Sequence, residues 1–156
     1  MFIQNRKGLN ISVDVTVNGK EVVFIMHGLG GSKAQLQVQA SAQAHQERGY
    51  TTVVFDTTNS FGESGGKYED ATLTNYYHDL QDVISWAKSQ PWYQEPFSLL
   101  GHSLGGTSVV LFAEENPTLV KQLIPVAPVV SGKRNISKYS SEVLTEWERT
   151  GLAYQR

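Results

Sequence analysis

Phe97-Ser98-Leu99-Leu100-Gly101-His102-Ser103-Leu104-Gly105-Gly106 is the stretch whose reading decides the fold. An apolar run precedes the glycines, and a second, Val109 to Ala113, follows them. This reads as a buried strand, a sharp turn and the start of a helix, with Ser103 at the apex. Gly101-His102-Ser103-Leu104-Gly105 fits the G-x-S-x-G pattern in which a strained turn lifts a serine hydroxyl clear of the backbone. The flanking residues must lack bulk for the turn to close. The helix that begins there aims unpaired N–H groups at whatever charge develops beside the hydroxyl. A Gly-rich turn with an idle serine is the plain alternative, so a second motif is needed.

That motif lies upstream. Val22-Val23-Phe24-Ile25-Met26 is apolar without alternation, as a strand covered on both faces is. It ends in His27-Gly28-Leu29-Gly30-Gly31-Ser32, where three glycines in four positions let backbone N–H groups approach a ligand closely. A phosphate-binding reading of this loop fails, because the lysine–serine pair of a P-loop is missing. A helix is predicted from near Ser32 or Lys33, carrying Leu36, Val38, Ala40, Ala42 and Ala44, with Gly49 as a left-handed cap.

The rest of the chain falls into place around these two turns. Residues 2–7 and 11–18 are predicted as antiparallel strands joined at Gly8-Leu9-Asn10, the second alternating Ile11, Val13, Val15 and Val17 with polar residues. Thr51 to Phe55 is a further buried strand, followed by a long glycine-containing loop, Asp56 to Gly66, of the kind that usually serves function. A helix capped by Asp70 or Thr72 places Leu73, Tyr77, Leu80, Val83, Ile84 and Ala87 on its buried face. The helix from Leu104 runs to about Glu115 and stops at Asn116-Pro117. Leu123 to Ala127 is a short last strand, and Val143, Leu144 and Trp147 mark an amphipathic stretch in a polar tail. The alternation implies an α/β fold: a mostly parallel sheet with an N-terminal antiparallel hairpin and helices on both faces. Both glycine motifs and the Asp56 loop fall at carboxyl ends of strands, where such sheets hold ligands.

Composition bounds the function. The chain has 156 residues, 40% apolar and 18% charged, with a formal net charge of −2, and suits one globular domain. It has no basic run, which argues against nucleic acid as a partner. It has no cysteine, which removes thiolate catalysis and cysteine-based metal sites. No signal-peptide core or membrane-length apolar run is present, and a cytoplasmic location is the expectation.

Serine attack on an acyl carbon needs a hydroxyl, a base and oxyanion donors. Ser103 supplies the first. The backbone N–H groups of Leu104 and Leu29 are the candidate donors. Together, His27-Gly28-Leu29-Gly30-Gly31 and Gly101-His102-Ser103-Leu104-Gly105-Gly106 resemble the α/β-hydrolase superfamily. Phe55-Asp56, Phe61-Gly62-Glu63-Ser64-Gly65-Gly66 and the Asn116-Pro117 helix end are similar to its serine-esterase branch of cinnamoyl and feruloyl esterases, monoacylglycerol lipases and serine aminopeptidase-like hydrolases. Ser64-Gly65-Gly66-Lys67-Tyr68 is most similar to the cinnamoyl-esterase-like members. One departure is Ser60-Phe61-Gly62, where many relatives carry a His-Gly pair. The resemblance implies hydrolysis of small, partly apolar carboxylic esters through an acyl-enzyme at Ser103, with no metal and no organic cofactor. In the superfamily His27 is usually a buried structural residue.

The triad order of the superfamily, Ser then acid then His, is not met: residues 104–156 contain neither histidine nor aspartate. His27, His45, His78 and His102 all lie before Ser103 or beside it, and none is placed as a base. Two explanations compete. Either the sequence is the N-terminal part of a longer hydrolase, or it is a short protein that no longer performs acyl transfer. The first is preferred: residues 1–130 then form an incomplete core and 131–156 the start of a lid. The isolated chain is expected to turn over little or no ester. The last strand would leave an apolar sheet edge open to self-association. The rival readings are a peptidase or thioesterase on the same scaffold, and a non-catalytic binding or assembly module.

Overall fold

The computed structural model describes residues 1–150. Six strands form one sheet: β1 (Phe2–Gln4), β2 (Asn10–Thr16), β3 (Glu21–Met26), β4 (Tyr50–Phe55), β5 (Phe97–His102) and β6 (Val120–Val126). Their spatial order is β1-β2-β4-β3-β5-β6. β1 and β2 pair antiparallel, as do β2 and β4, while β4, β3, β5 and β6 are parallel. The predicted mixed sheet with an antiparallel hairpin at one side is therefore the observed one.

Both faces are covered. α2 (Leu73–Ala87) and α3 (Leu104–Glu115) lie on one side, against Phe24, Met26, Phe55, Phe97 and Leu99. α1 (Leu36–Gln46) covers the other with Val38 and Ala42 against Val23, Ile25, Val54 and Leu100. Consecutive residues of β3 thus feed opposite cores, which is why its sequence shows no alternation. α4 (Gly132–Ile136) and α5 (Ser141–Thr150) contain no buried residue.

Several predicted boundaries move, among them β2, which is Asn10–Thr16 and not 11–18. β1 ends at Gln4 because Asn5 turns the chain: its Oδ1 accepts from the Lys7 and Leu9 amides and its carbonyl from Gly8, which sits at φ 76°. α1 starts at Leu36 rather than Ser32 or Lys33. The Lys33 amide is taken by Asp56 Oδ1 at 2.6 Å, and Gly31 donates back to Gly28 O, so residues 28–35 form turns. The last strand is Val120–Val126, and Ala127 leaves it at φ 46°.

The buried face of α2 is also rotated from the predicted one. Tyr76, Leu80, Val83, Ile84 and Ala87 are buried together with Asn75 and Asp79, whereas Leu73 is exposed and Tyr77 only half-buried. Thr72 is the cap, accepting from the Asn75 amide at 3.1 Å. Tyr76 turns toward the sheet because its phenol finds a buried acceptor there, the Gly28 carbonyl, while the Tyr77 hydroxyl bonds Glu115 at the surface.

Candidate functional site

The turn between β5 and α3 has the geometry its glycines foretell. Ser103 sits at φ 51°, ψ −116°, a left-handed backbone that a non-glycine residue adopts only when its surroundings force it. The surroundings do so by close approach. A Cβ on Gly105 would lie 2.3 Å from the His27 carbonyl oxygen, and one on Gly101 would lie 2.3 Å from the Gly105 carbonyl oxygen. α3 therefore starts in direct backbone contact with the end of β3 and with its own preceding strand. The Ser103 amide donates to Val126 O at 2.9 Å, tying the apex to β6.

The loop after β3 lies against the same serine. A Cβ on Gly28 would be 3.0 Å from Ser103 Cβ and 3.1 Å from His102 Nδ1. The Leu29 and Leu104 amides donate to no acceptor among the described residues. Two N–H groups, one on the loop after β3 and one opening α3, thus stay unpaired on the two segments that meet at Ser103.

His27 is fully buried and its tautomer is fixed by its partners. Its Nε2 faces the Thr57 amide, which can only donate, at 3.0 Å; its Nδ1 faces the Gly28 carbonyl, which can only accept, at 2.7 Å. The ring is therefore neutral with the proton on Nδ1. Burial holds its pKa below the ordinary histidine value, against the pull of the Gly28 carbonyl and of Asp56. With both nitrogens committed, His27 is a structural residue and not a base for Ser103.

His45 Nδ1 is paired with Ser41 O on α1, and His78 lies on α2 beside a small cavity lined by Arg6, Asn75 and Asp79. No described side chain hydrogen-bonds the Ser103 hydroxyl. Among the described residues no group of histidines, cysteines and acids is arranged to hold a metal, and no helix is long and apolar enough to cross a membrane.

The Asp56–Gly66 loop is pinned rather than loose. Asp56 is buried; its carboxylate accepts from the Lys33 and Glu63 amides, and its carbonyl accepts from Ser64 Oγ. Lys33 Nζ bridges Asp14 and Glu63, both at 2.8 Å. Phe61, at the position of the departing Ser60-Phe61-Gly62 run, stacks on Tyr68 with ring centroids 4.3 Å apart. A Cβ on Gly30 would be 3.3 Å from each of these rings, so they rest on the loop after β3.

Sequence reading missed a buried polar cluster behind this loop. Asp79 Oδ2 accepts from Thr58 N, Thr58 Oγ1 and Asn75 Nδ2, and Oδ1 accepts from Asn5 Nδ2. Burial pushes its pKa up, while the Asn5 and Thr58 bonds hold it down. It joins the N-terminal hairpin, the long loop and α2. The signal was present: Tyr76, Leu80, Val83 and Ala87 are as good a helical stripe as Leu73, Tyr77, Leu80 and Ile84, and choosing it would have put Asn75 and Asp79 inside.

A mostly parallel sheet covered on both faces, with a strained serine between β5 and α3 packed against the glycine-rich loop after β3, is the architecture of an α/β-hydrolase. Residues 18–152 match the family described as Serine aminopeptidase, S33, and the chain belongs to that family, within the serine-esterase branch of the superfamily. It is 27% identical over 113 residues to a monoglyceride lipase of Mus musculus, covering 71% of this chain and 36% of that protein. It is 31% identical over 104 residues to an sn-1-specific diacylglycerol lipase of the same organism, covering 67% of this chain and 31% of that protein. Among solved structures, Est1E from Butyrivibrio proteoclasticus with bound ferulic acid superimposes with a TM-score of 0.80 at 25% identity, over 99% of this chain and 60% of that one. The chain thus spans about a third of the two lipases' length.

Proposed function

We infer that this sequence carries the nucleophile and oxyanion site of a serine hydrolase acting on small, partly apolar carboxylic esters. The observation that carries the reading is Ser103 held at φ 51° against Gly28, with the unpaired Leu29 and Leu104 amides on the two flanking loops. Ser103 Oγ attacks the ester carbonyl and loses its proton to a base. The carbonyl oxygen becomes an oxyanion held by the Leu29 and Leu104 N–H groups. Collapse expels the alcohol and leaves an acyl-Ser103 ester, which water then cleaves by the reverse sequence. Losing one such donor typically raises the barrier by about 3–4 kcal/mol, so these amides weigh as much as a side chain.

No base or acid is assigned among the described residues: both His27 nitrogens and His45 Nδ1 are already hydrogen-bonded, His102 and His78 make no bond to the Ser103 hydroxyl, and residues 104–156 hold no histidine or aspartate. Residues 1–130 form the core, and 131–156, of which 151–156 lie outside the described residues, begin a lid; the largely exposed α4 and α5 support this. β6, with Leu123 and Val126 exposed, is the surface on which self-association would occur. The ester class is supported by the monoglyceride lipase relative and the ferulic acid-bound neighbour. The family description, serine aminopeptidase, favours a peptidase as the second reading.

The test is fluorophosphonate labelling of the full-length gene product, with the adduct mapped by mass spectrometry. Labelling at Ser103, lost in Ser103→Ala, supports the reading, and ester, thioester and aminoacyl amide probes then rank the activities. Absence of labelling and a stable oligomer would instead support a non-catalytic assembly module. The isolated 156-residue chain should turn over p-nitrophenyl acetate at a residual rate only, because a triad nucleophile without its base retains just the contribution of the oxyanion site.

A further inference from the structure

We propose that the Tyr76 hydroxyl, reaching in from α2, is the positioning residue that aims the Leu29 amide at the oxyanion; this rests on the Ser103 reading above. Tyr76 is fully buried. Its phenol donates to Gly28 O at 3.2 Å. This oxygen therefore holds the chain at the peptide that leads into Leu29. The consequence follows from peptide geometry. Gly28 C=O and Leu29 N–H belong to one planar trans unit and point in opposite directions, so whatever fixes the carbonyl fixes the amide.

Three donors converge on that carbonyl: Gly31 N at 3.0 Å, His27 Nδ1 at 2.7 Å and the Tyr76 hydroxyl. Gly31 belongs to the loop and would travel with it if it tilted. His27 and Tyr76 are anchored elsewhere in the fold, His27 by the Thr57 amide on its Nε2 and Tyr76 by its place on α2. Its ring is held edge-on to His27, with centroids 5.7 Å apart. On either side of it along α2, Asn75 and Asp79 join Thr58 in the cluster that fixes this turn of the helix to the long loop. The orientation of the oxyanion donor is thus set from the core side. On the outer side, Gly30 meets the exposed rings of Phe61 and Tyr68.

The test uses Tyr76→Phe in the full-length gene product, which deletes the hydroxyl and keeps the ring. With p-nitrophenyl acetate, kcat should fall about tenfold, less than the 10²–10³ for outright loss of a donor, because the amide is loosened and not removed. KM should change less than about twofold. Affinity for a phenylboronic acid, whose boron-bound oxygen occupies the oxyanion position, should weaken by the same factor as kcat. Tyr77→Phe, one residue along α2 with its hydroxyl on Glu115, should leave all three unchanged. An active wild type whose Tyr76→Phe variant keeps kcat and boronate affinity overturns this proposal and leaves Ser103 in place. A wild type that neither labels nor turns over overturns the Ser103 reading and this proposal with it. Independently of any variant, NMR of the wild type should show a slowly exchanging Tyr76 hydroxyl proton with a cross-peak to a Leu29 or Gly30 amide. A rapidly exchanging one overturns the bridge even if Tyr76→Phe fails to fold.

Discussion

Gly105→Ala puts one methyl group into the tightest joint of the molecule. At an ordinary helical position this change is favourable by about 1 kcal/mol, since alanine is the better helix former. Here the new Cβ would lie 2.3 Å from the His27 carbonyl oxygen and 2.8 Å from Met26 Cβ. The nearest tolerable contact is near 3.4 Å. The obstacle is main chain at the end of β3, so no rotamer change relieves it. α3 must back away from β3 by about 1 Å, an overpacking cost of roughly 1–3 kcal/mol beyond the propensity gain. The expected fall in Tm is roughly 3–10 °C for a chain of this size. The same shift carries Ser103 and the Leu104 amide away from the Gly28-Leu29 loop, and a displacement of about 1 Å at a reacting centre costs about 10²-fold in rate. Thermal unfolding of the 156-residue chain reads the first effect, and kcat for p-nitrophenyl acetate in the full-length gene product reads the second. Gly132→Ala is the control, since its Cβ would meet nothing within 4 Å; its Tm should hold or rise slightly. A Gly105→Ala protein with wild-type Tm and kcat would show that α3 and β3 do not meet in this way, and the placement of Ser103 against the Gly28–Gly31 loop would fall.

Three further outcomes are expected. His27 should stay neutral, with its proton on Nδ1, at a pH of about 6.5, where the unfolded chain's histidines are half protonated; long-range proton–nitrogen NMR correlation reads this, and a ring that charges at or above that pH contradicts its burial. The unfolded state then binds more protons than the folded one as pH falls below about 6.5, so His27's contribution weakens toward acid, by at most about 1.4 kcal/mol per pH unit. Asp79→Ala strands the buried donors of Thr58, Asn75 and Asn5 and should cost about 3–5 kcal/mol in urea unfolding, whereas Asp79→Asn, whose amide oxygen can still take the Thr58 bonds, should cost about 1–2 kcal/mol; equal losses would mean the cluster is not closed around the carboxylate. Thr72→Ala should destabilise by about 1 kcal/mol in the same urea assay through loss of the cap on α2, and Asp70→Ala should not, since only Thr72 receives the Asn75 amide.

The fold was legible in the sequence because its determinants are short-range. An unbroken apolar run marks a strand buried on both faces, and Val22 to Met26 of β3 shows it, with shorter runs in β4 and β5. Asn116-Pro117 and Gly49 end helices by backbone sterics alone. Gly101, Gly105 and Gly28 announce close backbone approach before the partner is known, because only glycine allows it. The strained turn at Ser103 and its approach to the loop after β3 could therefore be read from pattern. Three things needed the tertiary structure. The phase of α2 rests on which of two adjacent tyrosines finds a buried acceptor, and that acceptor, Gly28 O, is 48 residues away. The start of α1 moved because Asp56, at the end of β4, takes the Lys33 amide that would have opened the helix. The Asp79 cluster draws on Asn5, Thr58 and Asn75, residues whose polar character alone suggests surface. Local sterics are written residue by residue along the chain; a buried hydrogen bond between distant segments exists only once the sheet has brought both partners to the same place.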